Sequence, residues 1–200
     1  MGMGLAVPGT SSKRRHPIGR DINREDQMTA RIALMTAAAL LVGSPTLAKS
    51  GPTDAEIAHI AYTAGNIDVD AAKLALAKSK NATVREFAQT MVRDHEAVND
   101  KALALVKKLK VTPQSNATSE ALMKQAKETK QRLSSLKGAA FDRAYAANEV
   151  AYHDTVNGAL KTVLIPSADN GELKSLLETG LTLFGEHQKH AEQLAAGLKS

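Results

Sequence analysis

The residues that could do chemistry are histidines and acids set on apolar stripes. Phe87, Met91 and Val98 recur at helical spacing, and His95 falls between them, four residues after Met91 and three before Val98. His187 occupies the same kind of position, three after Phe184 and four before Ala191. His153 follows Tyr152 and precedes Val156, which puts it at the edge of its stripe. Asp68 falls near the midpoint of one further amphipathic stretch, and Glu149 near the midpoint of the one that carries His153. Imidazoles and carboxylates that meet at one level suit a divalent transition ion such as zinc, iron, manganese, copper or nickel. The candidate ligands are therefore Asp68, His95, His153 and His187, with Glu149 as an additional one. Asp94, Asp142 and Tyr145 are candidates for orienting the imidazoles from behind. A second reading stands beside this one: a buried histidine bonded to an acid or a tyrosine can simply fix helix register. Of the other histidines, His59 points away from its stripe toward the surface, and His190 sits half exposed on the opposite edge of its helix from Phe184.

Other chemistries find less support. Di-iron bundles use Glu-x-x-His on two helices, whereas Glu149 and His153, like Glu186 and His190, are four apart. There is no cysteine, no Gly-x-Ser-x-Gly and no glycine-rich phosphate loop, and no catalytic residue is assigned. The net charge of +5 suggests nucleic acid until its position is considered. Six of the 26 basic residues and three of the 21 acids precede residue 49, leaving 20 against 18. No basic block with interleaved aromatics remains, which argues against a nucleic-acid partner. The run Lys124, Lys127, Lys130 and Arg132 is read as a solvated face, with an anionic surface as the alternative.

The elements that must position these residues are helical. Aromatics make up 3% of the chain, so alanine and leucine carry the apolar stripes, which favours close helix packing. Thr53 with Glu56, Thr83 with Glu86 and Asp169 with Glu172 match the capping-box spacing. The spacing predicts helices over about 54–79, 84–109, 118–136, 139–164 and 170–198, the fourth stopped by Pro166. Its inward residues are expected to include Tyr152, Val156, Leu160 and Val163. Four long amphipathic helices and a short polar one over 53–198 imply an all-α four-helix bundle. The short helix between the second and third long ones supplies the crossover that a ferritin-like topology requires.

Two segments also resemble a known family. Met91-Val92-Arg93-Asp94-His95 and Leu136-Lys137-Gly138-Ala139-Ala140-Phe141-Asp142-Arg143-Ala144-Tyr145, followed by His153 and Glu186-His187, are similar to the bacterial family catalogued as domain of unknown function 4142. The resemblance covers about 53–195. It implies a secreted or periplasmic ferritin-like bundle, sometimes associated with the outer membrane, with Asp68 at a commonly acidic position and His95, His153 and His187 on the family's histidines. It implies no activity. Two functions are thus carried forward: a bundle that binds a transition ion in its His/Asp layer, and a non-catalytic structural or stress-related interaction protein.

Upstream, Arg31 leads the apolar run Ile32–Val42, then Gly43-Ser44-Pro45 and Thr46-Leu47-Ala48. This is the pattern of a signal peptide over 28–48, too short for a permanent span. Residues 1–27, rich in Gly, Pro, Ser and Arg, read as a disordered leader or a misassigned start. Export to the periplasm or beyond follows from that pattern, with no transmembrane segment in the mature chain. N-terminal sequencing of the exported protein is expected to begin at Lys49, and a first residue within 1–40 would contradict this reading.

Overall fold

The structure is a computed structural model, described here for residues 51–198; the leader, the signal segment and the Lys49 cleavage point lie outside the described residues. Five helices follow in order: α1 (Asp54–Lys78), α2 (Ala82–Leu109), α3 (Ala117–Ser135), α4 (Gly138–Ala159) and α5 (Gly171–Gly197). The α4 rod is prolonged by a π turn, Leu160–Leu164, and a last turn, Ile165–Ser167.

Each start is fixed by a side chain that meets free amide groups. Thr53 and Glu56 form the expected capping box on α1. At α2 the cap is Asn81, whose side chain accepts from Thr83 N and Val84 N at 2.9 and 3.2 Å. At α5 it is Asn170, accepting from Glu172 N and Leu173 N at 2.9 and 3.0 Å. The boxes expected at Thr83 and Asp169 are thus displaced to a neighbouring asparagine, a residue that caps at least as well. Asn116 caps α3 in the same way, from a reciprocal bond with Ser119. Gly138 opens α4 with φ +53°, a conformation that glycine adopts without a Cβ penalty.

The chain direction follows from contacts between helix ends. Lys108 pairs with Glu172, and Asp54 accepts from Asp169 N and Asn170 N at 2.9 Å each, so these termini share one end. Lys78 Nζ donates to Ser134 O at the other end. Consequently α1 and α5 run one way and α2 and α4 the other. Helix α1 packs on α2 and α4, and α5 packs on the same two, so every neighbour in the bundle is antiparallel. Helix α3 lies outside, against α1 and α4, and returns the chain along the bundle's length. This is the all-α bundle with a helical crossover that the spacing predicts.

Two apolar clusters fill it. One, containing Phe87, Met91, Phe141, Tyr145 and Leu194, lies toward the Lys78 end. The other, containing Ile57, Ile60, Leu164, Leu177 and Phe184, lies toward the Asp54 end. Full burial of such side chains contributes about 1.5–3 kcal/mol each. Gly65 lets α1 approach α2 where Asn99 is buried; a Cβ there would collide with the Asn99 amide.

The end of α4 differs from expectation. Pro166 does not stop the helix, because the π turn widens it first, with Ile165 N donating to Leu160 O five residues back. The extra residue rotates the stripe. Leu160 and Leu164 point inward, and Val163, expected inward, is 43% exposed. Among the described residues no helix is long and apolar enough to cross a membrane. Because both clusters are apolar and continuous across four helices, a chelator-treated sample is expected to keep a strongly helical circular dichroism spectrum. A coil spectrum would make any ion structural.

Candidate metal centre

Between the two apolar clusters lies a layer of buried ionisable groups. Asp68 comes from α1, His95 from α2, Glu149 and His153 from α4, and His187 from α5. All five are buried, none more than 4% exposed. They share a height because Asp68, His95, His153 and His187 each stand near the middle of an antiparallel helix. His153, expected at the edge of its stripe, points fully inward. Tyr152 takes the edge instead, and its hydroxyl donates to Ala64 O at 2.8 Å.

Asp68 is the hub. Its Oδ2 lies 3.0 Å from His95 Nε2 and 3.3 Å from His153 Nε2. Neither approach is aligned as a hydrogen bond, and both Asp68 oxygens, both His95 nitrogens and His153 Nε2 are buried without a hydrogen-bond partner. The distances record proximity and the bond directions record non-bonding, so the atoms converge without satisfying one another. His153 Nδ1 stands 3.0 Å from the Glu149 carbonyl oxygen. A carbonyl can only accept, so Nδ1 carries the proton and Nε2 of the neutral ring turns a lone pair toward Asp68.

His187 is held from behind. Its Nε2 donates to Asp94 Oδ2 at 3.0 Å, and Asp94 in turn accepts from Arg93 Nε at 2.8 Å. The other ring nitrogen, Nδ1, is buried and unpartnered. The ring that Asp94 holds is His187, on another helix, and not its neighbour His95. Ligand atoms of His95, His153 and His187 lie within 4.8 Å of one another, and so do those of Asp68, Glu149 and His153. Phe184 stacks on His95 with ring centroids 4.5 Å apart and fixes its plane. Tyr145 packs against Phe87 and Phe141, its hydroxyl buried without a partner. Burial, with the Glu149 and Asp68 charges added, pushes that hydroxyl well above the ordinary tyrosine range. Asp142 is buried two turns from Glu149, about 10 Å along the helix, and touches none of the imidazoles. His59, expected at the surface, is half-buried, its Nδ1 3.5 Å from Thr63 Oγ1. His190 is half-buried edge-on to Phe87 and takes no part in the layer.

The electrostatics set the protons. Burial lowers His187 to about 4, overcoming the Asp94 hydrogen bond that favours its charged form. Burial also lowers His153. Both rings are therefore neutral at neutral pH, the form that ligates. For Asp68 burial works upward but is outweighed by His95 and His153, and its carboxyl ends below the usual range. Glu149 goes the other way: burial, then the adjacent Asp68 charge, raise it well above the ordinary carboxylate range. Of the two carboxyls, Asp68 gives up its proton the more readily and Glu149 keeps its own to higher pH.

Two cavities reach this layer. One of about 600 Å³ fills the Asp54 end of the bundle and terminates on Asp68, His95 and His153. The other, about 530 Å³, lies under α3 and reaches Asp68 and Glu149 past Asp70, Glu128 and Lys130. Sequence reading missed Asn99, Asn157 and the stacking of Phe184 on His95. The first was within reach, since Asn99 stands four residues after His95 on the same stripe.

The fold and site together define an all-α bundle with a buried histidine–carboxylate layer. Residues 42–194 match the family described as Domain of unknown function (DUF4142). The chain belongs to that family. No match is found among curated proteins or among solved structures.

The raised Glu149 carries a stability consequence. Its folded form keeps a proton that the unfolded chain releases above about pH 4.5, so its contribution falls as pH rises from there toward the raised folded value. Glu149→Gln keeps the shape without the titration. In a chelator, urea midpoints are expected to show the variant more stable than wild type at pH 7.5, with the gap closing toward pH 4.5. A gap that is constant with pH would mean Glu149 is not held protonated.

Proposed function

We propose that this protein is an exported metal binder that holds one divalent transition ion at mid-bundle. His95, His153 and His187 supply nitrogens, Asp68 supplies a charged oxygen, and Glu149 supplies a second once its proton leaves. One arrangement carries the reading: His153 Nε2 stands 3.3 Å from Asp68 Oδ2, and a neutral ring whose Nδ1–H donates to the Glu149 carbonyl has only a lone pair to turn there. Two buried acceptors so placed repel each other, and a cation between them turns the repulsion into two bonds. The Arg93–Asp94–His187 chain supports the same reading, since it fixes the outer nitrogen of a ring whose inner nitrogen is free to ligate. Three nitrogens and one or two oxygens suit zinc, iron, manganese, copper or nickel. Export rests on the Arg31-led apolar run and the Thr46-Leu47-Ala48 site. The antiparallel ring of helices with a helical crossover supports a ferritin-like topology, while the donor set differs from a Glu-x-x-His di-iron site.

Metal at a hundred times its dissociation constant is expected to add about 2.7 kcal/mol, a melting shift of roughly 5–10 °C. His95→Ala and His187→Ala are each expected to abolish the shift, and His59→Ala to preserve it. Protons compete at His187 only toward about pH 4. Affinity is expected to rise with pH as the metal displaces the Glu149 proton, and Glu149→Gln to flatten that rise. Titration calorimetry across pH 6–8 reads the slope. If no divalent ion shifts wild type, or both inward variants keep the full shift, the layer serves helix register and the interaction-protein reading takes its place.

A further inference from the structure

The Asp54 end of the bundle is not closed by packing. Small side chains line it there, Ala61 and Ala64 on α1 and Ala102 on α2, around a cavity of about 600 Å³. That size lies within the range of small-molecule sites. Its walls are aliphatic and aromatic, including Ile60, Val98, Leu160, Leu177 and Phe184. Its inner end is the reverse: Asp68 and His95, 1% and 3% exposed, present buried polar atoms with no hydrogen-bond partner. Its outer end reaches Gly51, Pro52 and the start of α3 at Ala117. An apolar chamber with one polar pole matches a molecule of the same polarity pattern.

The charge of the lining narrows the class. Two carboxylates border the chamber, Glu56 near the outer end and Asp68 at the pole, and no lysine or arginine does. A fatty carboxylate finds no counter-ion there. A hydroxyl, in contrast, donates to Asp68 and accepts from a ring N–H of His95. We infer that the chamber binds a neutral apolar molecule bearing a hydroxyl, a long-chain alcohol or an alkylphenol, with its hydroxyl at Asp68 and His95 and its hydrocarbon toward Gly51. This does not depend on metal, and it is tested in the absence of metal.

The test is titration calorimetry of the full chain, treated with chelator, against dodecanol, octylphenol and dodecanoate. Saturable binding of the alcohol and the phenol is expected, with dodecanoate at least tenfold weaker. Ala61→Phe and Ala102→Phe fill the chamber from two helices and are each expected to weaken the alcohol at least tenfold while the helical spectrum is retained. The comparison of alcohol with carboxylate on wild type decides the matter even where a filled variant fails to fold. Absence of saturable binding by either hydroxyl compound overturns the inference. So does dodecanoate binding as tightly, or wild-type affinity in both folded variants. None of these outcomes bears on the metal-dependent melting shift, so the two readings stand or fall separately.

Discussion

Everything in this bundle is arranged around one buried carboxylate. Asp68 is taken almost wholly out of water, and the imidazole nitrogens 3.0 and 3.3 Å from it make no aligned hydrogen bond with it. A charge in that position costs several kcal/mol unless something compensates it. The four long helices bear this together, because each brings its own polar residue to the same height. A shift of one residue in any helix would carry a histidine or an acid into an apolar cluster. The asparagine caps at Asn81 and Asn170 and the Asp54 clamp on the α5 start matter for that reason. They fix where each helix begins, and so how far along it the layer falls.

The layer is approached from two sides with different chemistry. Toward the Asp54 end the walls are hydrocarbon, and only the pole is polar. Under α3 the walls carry Asp70, Glu128, Lys127 and Lys130, so that side is polar and charged. Asp68 is the point where the charged flank and the hydrocarbon flank meet.

Most of the bundle was legible from spacing, since 3.6-residue periodicity and the capping signals constrain helices directly. The midpoints of four matched helices also brought Asp68, His95, His153, Glu149 and His187 to one level before any coordinates. What spacing could not give was rotation. Tyr152 and His153 are adjacent, and either fits the inward stripe within the width of an apolar face; packing against Ala64 chose His153. The π turn was equally hidden, because a single extra residue leaves no compositional trace, and it turned Val163 outward. Side-chain pairings across helices, such as Asp94 with His187, depend on which helices are neighbours. A sequence alone does not state that order.

Helix α3 has a consequence for time rather than for structure. It buries only Ser119 and Leu133, whereas α1 buries nine residues, and exposed pairs such as Lys130–Asp70 at 3.6 Å add little to its hold. A segment so lightly anchored opens at far lower free energy than the bundle it covers. Hydrogen exchange at the amides of α3 therefore belongs to a faster class than exchange in α1. The buried layer beneath it communicates with solvent at the rate of that local opening, and not at the much slower rate of unfolding the whole domain.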